Sequence, residues 1–381
     1  MRRRTILALA CAAAALASAR RAPADDSVFG IRGLGLLSRP LSARAAGTGG
    51  AFALFDAATA LNPSTLGLFR SPAGWAASAS SWWRYSDGPA GASLSSTRFP
   101  LFGFASPVGH RLTLSFSAGD YLDRTWAVQT SKDSVLRGDT VTFEDDARSQ
   151  GGVTDLRLGA AYVLTRSLLV GVGLHALSGS TRRSVERSFS NANYTSYGDL
   201  VVTDFSGLGV SLGAQMRLSR WLALAATARV NSRLEATATN GASARIAMPA
   251  ELTAGLIYAP VVGSGIAVSL GYQTWARSAD DLAAAEQERS RSVWSLSVGA
   301  ESENVRLLGR RVPVRVGYRW RQLPFPVNGA ALDERALSGG FGLVFSDGRA
   351  SVDLGVDSGR RTAGAATERF TTVFVGVTVR P

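Results

Sequence analysis

From about Trp75 to the C-terminus, apolar residues alternate with polar or very small ones, the two-residue period of a strand whose faces meet different surroundings. Leu156, Leu158, Ala160 and Tyr162 alternate with Asp155, Arg157 and Gly159. Leu208, Val210, Leu212, Ala214 and Met216 stand against Gly209, Ser211, Gly213, Gln215 and Arg217, and Val314, Val316, Tyr318 and Trp320 against Arg315, Gly317, Arg319 and Arg321. Such stretches run for about ten residues, the length of a tilted bilayer crossing, whereas strands of soluble domains cluster near five or six. Fourteen are predicted, over 75–85, 92–104, 110–122, 152–163, 167–178, 202–217, 220–231, 249–259, 264–277, 291–302, 312–322, 336–346, 348–358 and 368–380. Short links such as Thr165-Arg166 alternate with long ones at 179–201, 232–248, 278–290, 323–335 and 359–367. Short turns at one end, long loops at the other and an even count are the marks of a closed barrel. The pattern predicts an all-β fold, an antiparallel transmembrane β-barrel of about fourteen strands.

Aromatic placement extends this picture. Trp75, Trp82, Trp83, Trp221, Trp275, Trp294, Trp320, Tyr162, Tyr258 and Tyr272 fall mostly near strand ends, where the headgroup layer would lie. Before the barrel, Met1 to Ala24 carries Arg2, Arg3 and Arg4, an apolar run from Ile6 to Leu16, and then small residues. That is the anatomy of an export signal, cleaved after Ala19 or after Ala24, the former preferred because of Arg20-Arg21 and Pro23. Cys11, the chain's single cysteine, lies inside it, so the mature chain has no disulfide and no cysteine metal site. The formal charge of +12 would suit nucleic acid in a cytoplasmic protein. Export removes that partner, and Lys132 is the only lysine, so the charge, almost all arginine, reads as base composition plus a charged surface.

Ser42 to Pro72 is rich in Ala and Gly, apolar, and neither alternating nor amphipathic. Small residues of this kind allow close backbone packing, as against the inner wall of a barrel. The run Arg44-Ala45-Ala46-Gly47-Thr48-Gly49-Gly50-Ala51-Phe52, then Asp56, then Asn62-Pro63-Ser64-Thr65-Leu66-Gly67 resembles the N-terminal hatch of the FadL/TodX family of outer-membrane transport proteins. Met248 to Pro260, Val314 to Arg319 and Gly339 to Val356 are similar to later strands of that family in the same order. The resemblance implies a signal at 1–24, a hatch at 25–72 that blocks the lumen, and a barrel at 73–381. It also implies passive uptake of a hydrophobic small molecule of the fatty-acid or hydrocarbon type, without cofactor or covalent catalysis. The partners implied are the bilayer with its lipopolysaccharide and the cargo. The similar PorV branch implies a secretion system as partner instead. The chain departs from the family in Ser64, where Ala is usual, in the single Asp56, and in ending without an aromatic residue.

Candidate functional residues follow. Gly47, Gly49, Gly50, Asp56, Asn62 and Pro63 are the hatch or gating candidates; Asn62-Pro63 fits a rigid turn. In the third strand the alternation of Leu112, Leu114, Phe116 and Ala118 breaks at Gly119-Asp120, which predicts a bulge; the resemblance implies sideways exit of cargo there. Arg157, Arg217, Arg229, Arg315 and Arg319 face the lumen and are expected to pair with Asp155, Asp353, Asp357, Glu251 and Glu301, or to meet an acidic cargo. Gly209-Val210-Ser211-Leu212-Gly213 matches the G-x-S-x-G pattern of esterases, but that chemistry uses a strand-to-helix elbow and this stretch reads as continuous strand. His110 and His175 are the only histidines, and a lipase would need one of them, such as His175 with Ser178 or Ser180. Asp280 to Ser290 has helical composition in an outer loop.

Overall fold

The computed structural model describes residues 27–59, 61–85, 93–136, 138–191, 193–283, 289–307, 310–327, 329–345 and 348–380. The proposed export signal lies outside the described residues. Fourteen strands form the wall: β1 Ala73–Tyr85, β2 Ser93–Val108, β3 Leu112–Asp123, β4 Asp139–Val163, β5 Leu168–Phe189, β6 Tyr197–Arg217, β7 Leu222–Asn231, β8 Glu251–Val261, β9 Ser264–Gln273, β10 Val293–Ser302, β11 Val314–Val327, β12 Ala330–Phe345, β13 Ala350–Ala363 and β14 Ala366–Val379. Each pairs antiparallel with its sequence neighbours, and β1 pairs with β14 from Gly74↔Val379 to Tyr85↔Glu368, which closes the ring. Closure removes both sheet edges, the condition for placing strands in hydrocarbon. No helix among the described residues is long and apolar enough to cross a membrane.

The alternation sorts the two faces in the order opposite to a soluble core. Phe102, Phe104, Leu158, Leu174, Leu208, Leu212, Leu252, Ile266, Val316 and Leu337 are exposed on the outside, while Ser115, Ser117, Asp155, Arg157, Ser211, Ser297, Arg319 and Glu334 are buried within. An exposed apolar band around a closed, polar-lined ring is the lipid-facing surface of a membrane barrel. Trp82, Trp221, Trp294, Tyr162 and Tyr258 are exposed as the interface reading requires. Trp75 and Trp275 are not: Trp75 is buried and stacked on Phe69 with ring centroids 5.4 Å apart, and Trp275 meets Phe325 edge-on at 5.4 Å. Both belong to the interior packing.

The strand positions match the sequence periodicity, but several expected long loops are strand extensions. Residues 323–335 and 359–367 continue the ladders of β11 to β14 up to turns at Gly329 and Gly364, and much of 179–201 belongs to β5 and β6. Trp126–Leu136 pairs with the far half of β4, and the hairpin Leu234–Ala238 with Ser243–Ile246 pairs with β6. The extension 323–335 carries Pro324, Pro326, Asn328 and Gly329, which read as turn residues, and 179–201 and 359–367 are mostly polar or small, so neither kind shows the clean alternation of a bilayer-facing strand. Between β9 and β10, a 3-10 turn at Trp275–Ser278 leads into a short helix, Ala279–Ala283, at the start of the stretch expected to be helical; residues 284–288 of that stretch lie outside the described residues, and 289–290 are not helical.

Residues 27–72 run through the lumen. Ser27 Oγ donates to Glu368 of β14 at 2.8 and 2.9 Å, and Phe29 packs with Leu323, Leu332 and Ala363 near the extended end. Further on, helix α1 (Ala43–Gly47) lies against β11 to β14, and the 3-10 helix Pro63–Leu68 lies against β3 to β6 on another arc of the ring. Wall glycines make this contact. A Cβ on Gly317 would overlap the Thr48 carbonyl carbon, and one on Gly171 would sit 2.5 Å from the Pro63 carbonyl carbon. Close backbone approach of this kind needs a residue without a side chain. Gly317→Val is therefore expected to dislodge residues 43–69 while the barrel still closes. Higher single-channel conductance in planar bilayers, with the heat-dependent gel shift of a folded barrel retained, is the expected result; unchanged conductance would show that this packing does not hold the segment.

Candidate functional site

The lumen wall carries two charged clusters. In the first, Glu334 is fully buried and accepts from three guanidiniums: Arg319 Nη2 at 2.9 Å, Arg321 Nε at 2.8 Å and Nη2 at 2.9 Å, and Arg361 Nε at 2.8 Å. Arg319 also donates to Asp357 at 2.7 Å and Arg361 to Glu368 at 2.6 Å. Lower down, Arg315 Nε donates to Glu301 at 2.6 Å and Nη1 to Asp353 at 2.7 Å, and Arg44 of α1 binds Glu301 from the lumen side. Charges this dry persist only when paired and hydrogen-bonded.

The second cluster lies on β4 to β7. Asp155 accepts from Arg157 Nη2 at 2.8 Å and Arg229 Nη1 at 2.7 Å, and its two oxygens lie 2.9 and 3.0 Å from His175 Nδ1. His175 Nε2 is 2.8 Å from Ser211 Oγ. Arg229 stacks over Tyr121 at 4.5 Å, and Tyr121 donates to Glu251 at 2.9 Å. A cavity of about 220 Å³ opens between this cluster and the lumen segment, lined by Asp155, His175, Ser211 and Arg229 on one side and by Leu41, Leu54 and Leu61 on the other.

Among the arginines predicted to face the lumen, Arg157, Arg229, Arg315 and Arg319 make wall ion pairs, with the acids Asp155, Glu301, Asp353 and Asp357 as partners. Arg229 approaches Glu251 only to 3.9 Å. Arg217 is exposed at the short-turn mouth, beside Arg44 and Asp56, and makes no ion pair among the described residues. Glu334 and Arg361 fall in stretches that the periodicity reads as loops, 323–335 and 359–367, while Arg321 and Glu368 stand at the ends of the expected strands 312–322 and 368–380 and are not among the lumen candidates. His175 and Ser211 were each visible, but not as partners. Ser178 and Ser180, the serines near His175 in sequence, are exposed, whereas the register His175↔Gly209 brings Ser211 to the imidazole across β5 and β6.

The hatch candidates pack against the wall and against one another. Gly49 and Gly50 hold φ of 66° and 90°, and the Gly49 carbonyl accepts from Arg39 at 2.9 Å and Ser297 at 3.0 Å. Gly47 meets Gly340 of the wall. Asp56 accepts from Ser42 Oγ at 2.5 Å and from Ala58 N at 3.0 Å. Asn62 caps the 3-10 helix by accepting from Ser64 N at 3.1 Å, donates to the Leu54 carbonyl at 3.0 Å, and leads into Pro63 at its first turn. A side chain at Gly213 of β6 would collide with the Asn62 amide.

Gly119 and Asp120 mark a break in the wall. The β2 to β3 ladder runs from Val108↔Leu112 to Leu101↔Gly119 and ends there. Past it, Tyr121 bulges out of register with β4, and Leu122 and Asp123 pair with Leu37 and Leu36 of the lumen segment in place of β2. On the facing strand, the register slips at Phe99-Pro100, and a proline has no N–H for a ladder. An Arg98 to Asp123 ion pair spans the gap. Behind it lies a second cavity, of about 140 Å³, lined by Arg98, Pro100, Asp120 and Asp123 and sharing Leu37 and Arg39 with the first.

No protein-family model matches the chain, and neither does the sequence of any curated protein. Its backbone is similar to solved channel structures. A FadL homologue from Pseudomonas aeruginosa superposes with TM-score 0.64 at 12% identity, covering 90% of this chain and 99% of that one. The CymD monoaromatic hydrocarbon channel superposes at 0.58 and 16% identity, over 90% and 97%. The Ralstonia pickettii toluene transporter TbuX superposes at 0.57 and 13%, over 93% and 100%. The chain has the fold of the FadL-type channels, as the hatch and strand motifs implied.

Replacing Glu334 with Gln leaves three buried guanidiniums around a neutral group, at a cost of about 3–5 kcal/mol. Lower denaturant resistance of the folded barrel in detergent is expected, measured by loss of the heat-dependent gel shift. Glu303→Gln, at an exposed position beyond β10, is expected to leave it unchanged.

Proposed function

We propose that the chain is a passive channel of the bacterial outer membrane that admits a hydrophobic small molecule from the extended end and releases it sideways into the bilayer. The observation that carries this reading is the unpaired stretch between β2 and β3 at Gly119, with a cavity directly behind it. Residues 27–72 act as the hatch. Their backbone is packed onto wall glycines, so the direct route to the short-turn end is filled. An apolar molecule in the cavity then has a dry exit through the wall and a wet, obstructed one below. Moving apolar surface from a polar cavity to hydrocarbon is favourable by roughly 25 cal/mol per Å², so passage down a gradient needs no energy source. Solved structures of the same fold are described as hydrocarbon and toluene channels, which supports an apolar cargo.

The gap has features of a latch. Arg98 and Asp123 join its two sides, and Leu36-Leu37 covers the strand edge that β2 leaves bare. A Cβ on Gly119 would lie 2.8 Å from Pro40 and 3.1 Å from the Pro100 carbonyl, so this position has no room for a side chain. Gly119→Leu is expected to lower uptake of a labelled hydrocarbon or fatty acid several-fold in cells while folded barrel remains in the outer membrane. Arg98→Ala, which unties the gap without filling it, is expected to maintain or raise uptake. Equal uptake by the Gly119 variant and the parent would overturn the lateral route.

A further inference from the structure

The polar group on β4 to β6 has an order that wall ion pairing does not require. We propose that Ser211, His175 and Asp155 form a nucleophilic triad that hydrolyses apolar carboxylic esters admitted to the lumen, an activity separate from passage. Asp155 lies 2.9 Å from His175 Nδ1, nearer than Arg157 Nε at 3.4 Å, and an ionised carboxylate only accepts, so in the proposed arrangement Nδ1 carries the ring hydrogen. That leaves the Nε2 lone pair facing Ser211 Oγ at 2.8 Å, the base-to-nucleophile relation of acyl-transfer enzymes. Asp155 is the positioning residue, itself held by Arg157 and Arg229.

The strand register creates this group from residues distant in sequence. Arg157 pairs with His175, and Gly173 with Ser211, so the three side chains descend diagonally across neighbouring lumen positions. Gly173 leaves the space for them: a Cβ there would stand 2.5 Å from Ser211 Oγ and 3.2 Å from His175 Nε2. All three residues are buried from bulk solvent yet line the 220 Å³ cavity.

Esterases with the G-x-S-x-G pattern bind the developing oxyanion with backbone N–H groups at an elbow. The N–H groups of β6 are engaged in ladders with β5 and β7, so a side chain must serve instead. Arg229 lines the same cavity, and its Nη2 is a buried donor without a hydrogen-bond partner. A buried guanidinium nitrogen without an acceptor is costly, and an oxygen of a bound ester would satisfy it. Across the cavity, Leu41, Leu54 and Leu61 provide an apolar surface for the acyl chain.

In the first half-reaction Ser211 Oγ attacks the ester carbonyl carbon and its proton passes to His175 Nε2. The tetrahedral oxyanion faces Arg229, and the alkoxide leaves with the proton from Nε2. Water then attacks the acyl-serine, gives a proton to Nε2, and the carboxylic acid departs as Ser211 regains its hydrogen. The sum is ester plus water to acid plus alcohol, and no other reactant is needed.

The full chain folded in detergent micelles provides the test, with p-nitrophenyl butyrate as substrate and a fluorophosphonate as active-serine probe. Turnover of the ester and a probe adduct on Ser211, located by peptide mass spectrometry, are expected. Ser211→Ala should lose both, and His175→Gln should reduce both to the level of micelles without protein. Asp155→Asn should lower turnover and change its pH profile, which a purely structural residue would not do. A folded barrel, verified by its heat-dependent gel shift, that takes up no probe overturns the proposal. So does turnover that survives Ser211→Ala or is indifferent to His175→Gln.

Discussion

A strand placed in hydrocarbon has nowhere to send its N–H and C=O groups except to another strand, and a sheet with an edge always leaves one row unsatisfied. Closure between β1 and β14 is therefore the constraint from which the other features descend. It fixes an outside that meets lipid and an inside that does not, and it turns the two-residue period of the strand into two chemistries. The same sequence folded as an open sandwich would bury Leu158 and Val316 against another sheet and expose Arg157 and Arg315 to water. Here the arginines are inside, and each must find an acid.

That requirement explains the weight of ion pairs in the lumen. Glu334 with its three guanidiniums joins β11, β12 and β13, which the ladders already connect, while Asp155 reaches from β4 past two strands to Arg229 of β7; buried pairs of this kind add less net stability than their number suggests. Their geometric effect is clearer. They keep the lumen polar and hold side chains in fixed directions, and at His175 and Ser211 the fixed directions acquire a chemical sense. In the triad proposed above, an imidazole between a carboxylate and a hydroxyl would act as a base toward Ser211.

The lumen segment uses a different principle. Residues 43–69 meet the wall through backbone contact with glycines of β5, β10, β11 and β13 and are held by caps such as Ser42 on Ala45 and Asn62 on Ser64. Small residues on both surfaces let main chains approach where side chains would keep them apart. Where the segment offers Leu36 and Leu37 as a short strand, it takes the place of β2 beside β3. The unpaired stretch at Gly119 is thus bordered by the lumen segment itself, through the pairing of Leu36 and Leu37 with β3.

Period two along the chain was sufficient to determine the antiparallel barrel, its fourteen strands, which face meets lipid, and that Arg157, Arg229, Arg315 and Arg319 point inward, because parity within a strand is a local property. The break in parity at Gly119-Asp120 marks, in the same local way, where the β2 to β3 ladder ends, just before the bulge at Tyr121. The reach of the strands beyond the membrane was not legible, since those stretches are either mostly polar or interrupted by Pro and Gly and show no clean alternation. Nor was the company each inward residue keeps. Which arginine meets Glu334, why Ser211 and not Ser178 stands at His175, and which side of β3 the lumen segment occupies depend on register between strands and on the path of residues 27–72. Those are relations between distant parts of the chain, fixed only when the ring closes around the segment inside it.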